Sequence, residues 1–278
     1  MREDLSFIEL SARERARQLL DDGSFRELLG PFERITSPWL EPQGIVTQAD
    51  DGMVVAKGTL NGRPAVVAAV EGAFQGGSMG EVSGAKMAAA LELAAEDNRN
   101  GIPTQAVLLL ETGGVRLQEA NLGLAAIADI HAAIADLRRY TPVVGIIAGT
   151  VGCFGGMSIA AGLCSYLIVT REARLGLNGP QVIEQEAGIE EYDSRDRPFI
   201  WSMTGGDVRY RSGFADVEVE DALHQVRAAL LACLARGVPA RHRSERHDYY
   251  LPKLTQFDSR QQADAAVVAQ LFAREDRP

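Results

Sequence analysis

Two glycine pairs mark the places where this chain is best equipped for chemistry. Gly113-Gly114 sits in ETGGVRLQE and Gly155-Gly156 in GCFGGMSIA. Each pair follows an apolar run of strand character and precedes a helix-forming stretch. A glycine turn at a helix start presents backbone N–H groups that have no intrahelical acceptor, at the positive end of the helix dipole. Such donors suit an oxyanion that develops during a reaction better than they suit a cation. Two turns of this kind on successive strand–helix units can aim N–H groups at one point from two sides. That is the geometry needed to hold a thioester carbonyl as it becomes an enolate, and losing one such donor typically costs ~3–4 kcal/mol of transition-state stabilisation. Either pair alone reads as a tight turn or close-packing point. Their recurrence at the same place in consecutive units carries the reading.

Other residues with chemical potential cluster near these turns. Gln118-Glu119 opens the stretch after the first turn, where the dipole favours an acidic side chain anyway. Arg116 suits an ion pair with a carboxylate. Ser78 and Lys86, in GGSMGEVSGAK, flank a glycine loop whose N–H groups and lysine suit an anionic arm, although the Walker spacing is missing. Cys153 precedes a helix start but has no histidine near it in sequence, and reads as an inert buried thiol. His131 falls within a helix. Arg241, Arg243 and Arg246, with His242 and His247, form the one strongly basic patch, suited to an acidic partner protein or simply to solvent.

The elements that must position these groups read as an α/β pattern. Residues 7–30 read as helical with a break at Asp22-Gly23, and residues 30–46 as a proline-punctuated irregular segment. Asn61-Gly62 between two β-rich runs is a hairpin signal. Met87–Ala95 is helix-forming, with a stop at Asn100-Gly101. Residues 106–111 and 142–149 are continuous apolar runs, the mark of strands covered on both faces, and a long helix ends near Arg138-Arg139 between them. Further along, 173–179 reads as a short strand and Pro180–Ala187 as a short helix. Residues 204–216 read as turn-rich, Asp221–Arg236 as a helix and Gln261–Arg274 as another. With right-handed crossovers, the expectation is one domain over residues 1–278 with an N-terminal helical extension.

Composition narrows the function classes. A net charge of −10 and 24% charged residues disfavour nonspecific binding to nucleic acid or an acidic membrane. Three cysteines with no CxxC pair read as reduced cytosolic thiols and exclude a four-cysteine zinc site; no metal is expected. The charged start MREDLSFIEL lacks the apolar region of a secretion signal, so a cytoplasmic location is expected. Residues 140–170 carry no charge and are long enough to span a bilayer. Their glycines and Pro142 argue instead for strand, turn, helix and strand within a core.

GTLNGRPAVVAAVE, GGSMGEVSGAK, ETGGVRLQE and GCFGGMSIA, in this order, resemble the thioester-binding half of the biotin-dependent carboxyltransferases, a branch of the crotonase fold of stacked β-β-α units. LLDDGSFRELLGPFERITSPWL and GIVTQADDGMVVAKG bring the resemblance closer to the β-subunit family of biotin-independent malonate decarboxylases; the matching segments cover roughly residues 15–180. The resemblance implies decarboxylation of a malonyl thioester carried on the phosphopantetheine-type arm of an acyl carrier protein, with no tightly bound cofactor. One oxyanion donor is implied at Gly114 or Val115, the other at Gly155 or Gly156. Phe154, Met157 and Val115 are the expected apolar wall, and Ser78 and Lys86, with Phe154 and Met157, the expected contacts to the carrier arm. A γ subunit and the acyl carrier protein are the implied partners. The zinc ribbon of bacterial acetyl-CoA carboxylase β subunits is missing, and 278 residues leave no room for the second domain of full-length carboxyltransferases, so the complete site is expected to need a partner chain. The rival readings are a biotin-linked carboxyltransferase β subunit and a non-catalytic scaffold. A hydratase fits less well, because the turns carry no paired glutamates.

Overall fold

A computed structural model describes residues 5–258, 260 and 264–272. Its strands assemble into one seven-stranded sheet whose spatial order follows the chain. β1 (Arg26–Leu28), β2 (Met53–Leu60) and β3 (Arg63–Val70) are antiparallel neighbours. β4 (Gln105–Leu109), β5 (Val143–Ile147), β6 (Tyr166–Thr170) and β7 (Val217–Val219) continue from β3 in parallel. Asn61 and Gly62 both take the left-handed conformation (φ 50° and 74°) that a tight β2–β3 turn requires. The Asp21 carboxylate accepts from both of their N–H groups, at 3.1 and 2.8 Å.

The parallel strands read as unbroken apolar runs because both faces are covered. Val55, Val66, Ala68, Leu108, Ile147 and Leu167 belong to one core, with side chains of α2 (Glu81–Arg99), α3 (Asn121–Leu137) and α4 (Gly156–Leu163). Their neighbours in sequence, including Val54, Val67, Val107 and Ile168, belong to a second core with α1 (Ala12–Leu19) and α8 (Leu223–Ala235). Successive side chains on a strand point to opposite faces, so every residue of such a run is buried. The uncharged segment 140–170 divides into β5, a turn, α4 and β6, and no described helix is long and apolar enough to cross a membrane. The first three helices after β3 pack closely: a Cβ added at Gly84 of α2 would lie 2.4 Å from Ala126 Cβ of α3.

Several expectations are corrected. The helix expected over 7–30 spans only Ala12–Leu19, started by a Ser11–Glu14 capping box. Leu20 is extended, Asp21 is drawn out to cap the hairpin, and residues 26–28 supply the antiparallel partner that β2 needs. Residues 173–179 form no strand, only single bridges through Arg174 and Leu175. α5 (Pro180–Ala187) is as expected. It is followed by α6 (Arg197–Thr204), capped by the Asp196 side chain, and α7 (Gly206–Arg211), where turns were expected. α9 (His247–Thr255) emerges from the basic cluster. α10 is Ala265–Leu271; residues 261–263 and 273–274 of the helix expected there lie outside the described residues.

One buried ion network ties these elements together. Arg116, 1% exposed, donates from Nη1 to Asp51 Oδ1 (2.7 Å) and Glu119 Oε1 (3.0 Å), and from Nη2 to the Ser78 carbonyl (2.7 Å). The two carboxylates in turn accept from the first N–H groups of α2: Ser83 N to Asp51 Oδ2 at 2.9 Å, Glu81 N to Glu119 Oε2 at 2.6 Å. Two anions thus face the positive end of a helix dipole and share one guanidinium between them.

Replacing Arg116 with Met should leave both carboxylates buried without a cation and cost about 3–5 kcal/mol in a denaturant titration. Gly84→Ala should destabilise by about 1–3 kcal/mol through overpacking. Gly162→Ala, where an added Cβ meets nothing within 4 Å, should be neutral or slightly stabilising in the same titration. All three cysteines are buried. Burial pushes the Cys164 thiol up to about 12 and Cys233 to about 11, and raises Cys153 as well. The folded chain therefore holds these protons more tightly than the unfolded chain, whose thiols ionise near about 8.5. Their contribution to stability is intact below that pH and is lost as pH rises toward the folded values. Iodoacetamide at pH 8 should label none of the three in the native protein and all of them after denaturation.

Candidate active site

Beyond the ends of β4 and β5 the chain continues into short parallel rungs outside the main sheet, Met79 beside Val115, Thr112 beside Cys153, and Cys153 beside Leu175. These rungs bring the two glycine turns together. Met79 N donates to Gly114 O (2.7 Å), Arg116 N to Met79 O (2.9 Å), Thr112 N to Gly152 O (2.7 Å) and Phe154 N to Thr112 O (3.0 Å). Gly114 and Gly155 have φ of 106° and 59°, a region that favours glycine. They also touch: a Cβ on Gly155 would lie 3.2 Å from Gly114 Cα and 3.8 Å from Val115 N. The expected meeting of the turns is therefore met in space.

The hydrogen bonds separate the four candidate donors. Gly114 N is taken by Thr112 Oγ1 at 3.1 Å, and Gly155 N by the Leu177 carbonyl at 2.7 Å. Val115 N and Gly156 N have no acceptor among the described residues. Val115 N is free because the parallel rung uses the Gly114 carbonyl before it and the Arg116 N–H after it. Gly156 N is free because it is the first residue of α4. Both residues are partly exposed, so a ligand can reach them. His131 Nε2, on α3, donates to the Gly156 carbonyl at 2.8 Å, which places the imidazole proton on Nε2 and ties α3 to the first turn of α4.

The side chains expected to touch a carrier arm are mostly engaged elsewhere. Lys86 is buried, with Nζ bonded to the Asp50 (3.0 Å) and Met53 carbonyls, and burial lowers its pKa; it holds the turn before β2. Ser78 accepts from Arg116 through both its carbonyl and its Oγ (3.2 Å). Within the glycine loop the N–H groups of Gly80, Glu81 and Ser83 are taken by side-chain oxygens. Met157 is wholly buried in the core. Phe154 is buried beneath Gly152 and Gly176, with the Arg174 guanidinium 5.4 Å from its ring. Glu119 and Arg116 serve the ion network. In the basic cluster, Arg241 pairs with Asp248 at 2.7 Å and Arg243 with Asp216, so much of that charge is neutralised locally.

Two cavities adjoin the turns through segments that the sequence did not mark. One, of 580 Å³, is lined by Thr150, Arg174, Arg197 and Trp201. The other, of 220 Å³, is lined by Ser158, Leu175–Leu177, Arg209, Phe214 and Arg243. Arg174 and Arg209 come from segments read as strand and turn, and nothing in their local pattern distinguishes them from surface arginines. No group of three or more His, Cys, Asp or Glu side chains able to hold a metal occurs among the described residues.

The Carboxyl transferase domain family matches residues 9–271. A chain of the solved Pseudomonas malonate decarboxylase hetero-tetramer in complex with malonate is 71% identical, covering 97% of this chain and 98% of that one, with a TM-score of 0.95. The malonyl-S-ACP:biotin-protein carboxyltransferase MADC of Malonomonas rubra is 40% identical over 244 residues, 84% of this chain and 77% of that protein. A chain of transcarboxylase 12S is 31% identical, covering 80% of this chain and 41% of that one, with a TM-score of 0.67. The chain belongs to the carboxyl transferase family, with its crotonase-like fold, and within it to the malonate decarboxylase β subunits.

Proposed function

We propose that this chain is the thioester-binding β subunit of a malonate decarboxylase, and that Val115 N–H and Gly156 N–H form its oxyanion hole. The observation that carries the reading is the contact between two glycine turns that leaves one unsatisfied N–H group on each. With the thioester oxygen of a malonyl group between these donors, the bond to the carboxylate carbon breaks as CO₂ leaves. Its electron pair passes into the enolate, whose negative oxygen the two N–H groups stabilise. The enolate then takes a proton at carbon, supplied by water or by a partner chain, and gives the acetyl thioester.

The malonyl group is carried, in this reading, on the phosphopantetheine-type arm of an acyl carrier protein, in a cytoplasmic assembly that includes a γ subunit. Exposed Leu117, Ile159 and Leu177 surround the turns, and such an apolar rim suits cover by a partner chain. A second reading, transfer of the carboxyl group to a biotinylated protein, draws support from the name of the Malonomonas rubra relative. CO₂ release from malonyl-carrier by the co-purified complex without biotin supports decarboxylation; strict dependence on a biotinylated acceptor supports transfer.

The donors can be tested by deleting one N–H group. Gly156 is the first residue of a helix, a position that tolerates proline. Gly156→Pro removes the N–H, whereas Gly156→Ala retains it and introduces the same crowding against Ile127. The proline variant of the assembled complex should release CO₂ about 100-fold more slowly than the alanine variant. Equal rates for the two would remove Gly156 N–H from the mechanism.

A further inference from the structure

The 220 Å³ cavity shares a wall with the second glycine turn. Leu177 O accepts from Gly155 N at 2.7 Å, Gly176 N donates to Cys153 O at 3.2 Å, and Ser158 lies in the first turn of α4. Two guanidinium groups line this cavity. Arg209 donates from Nε to Leu175 O (2.8 Å) and lies 5.7 Å from the Phe214 ring, with no carboxylate within 4.0 Å among the described residues. Arg243 holds Asp216 through Nη2, while its Nη1 is buried and has no acceptor. Arg116, Arg15 and Arg241, unlike Arg209, each meet a carboxylate.

Burying a cation without a counter-ion is costly, and unsatisfied buried donors are rare in folded proteins. Arg209 without a carboxylate partner and the free Arg243 Nη1 on one cavity call for an anion small enough for 220 Å³. We propose that this cavity is a small-carboxylate subsite in which Arg209, supported by Arg243, binds the free carboxylate of the acyl group or the bicarbonate formed from its product. The assignment rests on the decarboxylase reading and deepens it. The phosphate of a carrier arm lies many bonds from the thioester, too far along the arm for a cavity that adjoins the first turn of α4. Arg209 thereby distinguishes a malonyl from an acetyl group: one has a carboxylate to give the guanidinium, the other leaves it unpaired. Charge-assisted hydrogen bonds of this kind are the strong ones, and losing one weakens binding by about tenfold or more.

The test uses the assembled complex with wild-type chain, Arg209→Gln and Arg209→Lys. KM for malonyl-carrier should rise about tenfold or more in Arg209→Gln and recover in part in Arg209→Lys, while inhibition by acetyl-carrier stays unchanged. Equal weakening toward both carriers, or a fall in kcat with KM unaltered, would overturn the subsite. Bicarbonate tells the two sources apart: inhibition of the wild type that Arg209→Gln relieves assigns the released product to the cavity, and a wild type insensitive to bicarbonate assigns the substrate carboxylate. If the wild-type complex releases no CO₂, the functional reading fails. Direct titration of malonyl-carrier against acetyl-carrier binding then still decides the subsite: preference for malonyl that Arg209→Gln abolishes supports it, and equal binding overturns it.

Discussion

The buried guanidinium of Arg116 is the constraint on which the rest of the site depends. It bridges the turn before β2, the Ser78 loop and the short helical turn after the first glycine pair, three segments distant in sequence. An isolated buried charge would be prohibitive, so the arrangement exists only as a whole: two carboxylates neutralise the cation, and α2 amides complete the carboxylates' hydrogen bonds. The Met79–Val115 rung lies beside this network. Ordering the network therefore fixes the direction in which Val115 N–H points. Electrostatic stabilisation by backbone donors works only when they are held before the charge develops, and Arg116 supplies that rigidity without touching a ligand.

The second donor is held by different means. α4 is short, rich in small residues and packed against α3, with Ile127 close beneath Gly156 and His131 bonded to its carbonyl. Small side chains let the helix sit deep in the core, where its first amide comes level with the first glycine turn. Polar ties organise one turn and close packing organises the other. Both turns are extensions of adjacent parallel strands, so the sheet itself sets their spacing.

The cations around the second turn show the opposite economy. Arg209 has no carboxylate within 4.0 Å among the described residues, and Arg243 keeps a buried Nη1 without an acceptor, both beside one cavity. Underpaired cationic donors gathered at one cavity are an expected signature of a ligand site.

Much of this protein is legible in its sequence alone. The continuous apolar runs, the Asn61-Gly62 turn and the two glycine pairs each report a local requirement: burial on both strand faces, a left-handed turn, and a tight entry to a helix. Such requirements are met residue by residue, so they appear in the chain as composition and spacing. Pairings between distant segments leave no local mark. Nothing in the pattern near Lys86 reveals that its ammonium is spent on the carbonyls of Asp50 and Met53. Nothing near Gly114 and Gly155 reveals that Thr112 and Leu177 occupy their amides and leave Val115 and Gly156 as the open donors. The truncated first helix and the missing strand at 173–179 have the same origin, since Asp21, residues 26–28 and Leu175 are claimed by partners far along the chain. Sequence determined which turns could hold an oxyanion; tertiary structure decided which N–H groups remain free to do so, because a donor's availability depends on every acceptor that folding brings within reach.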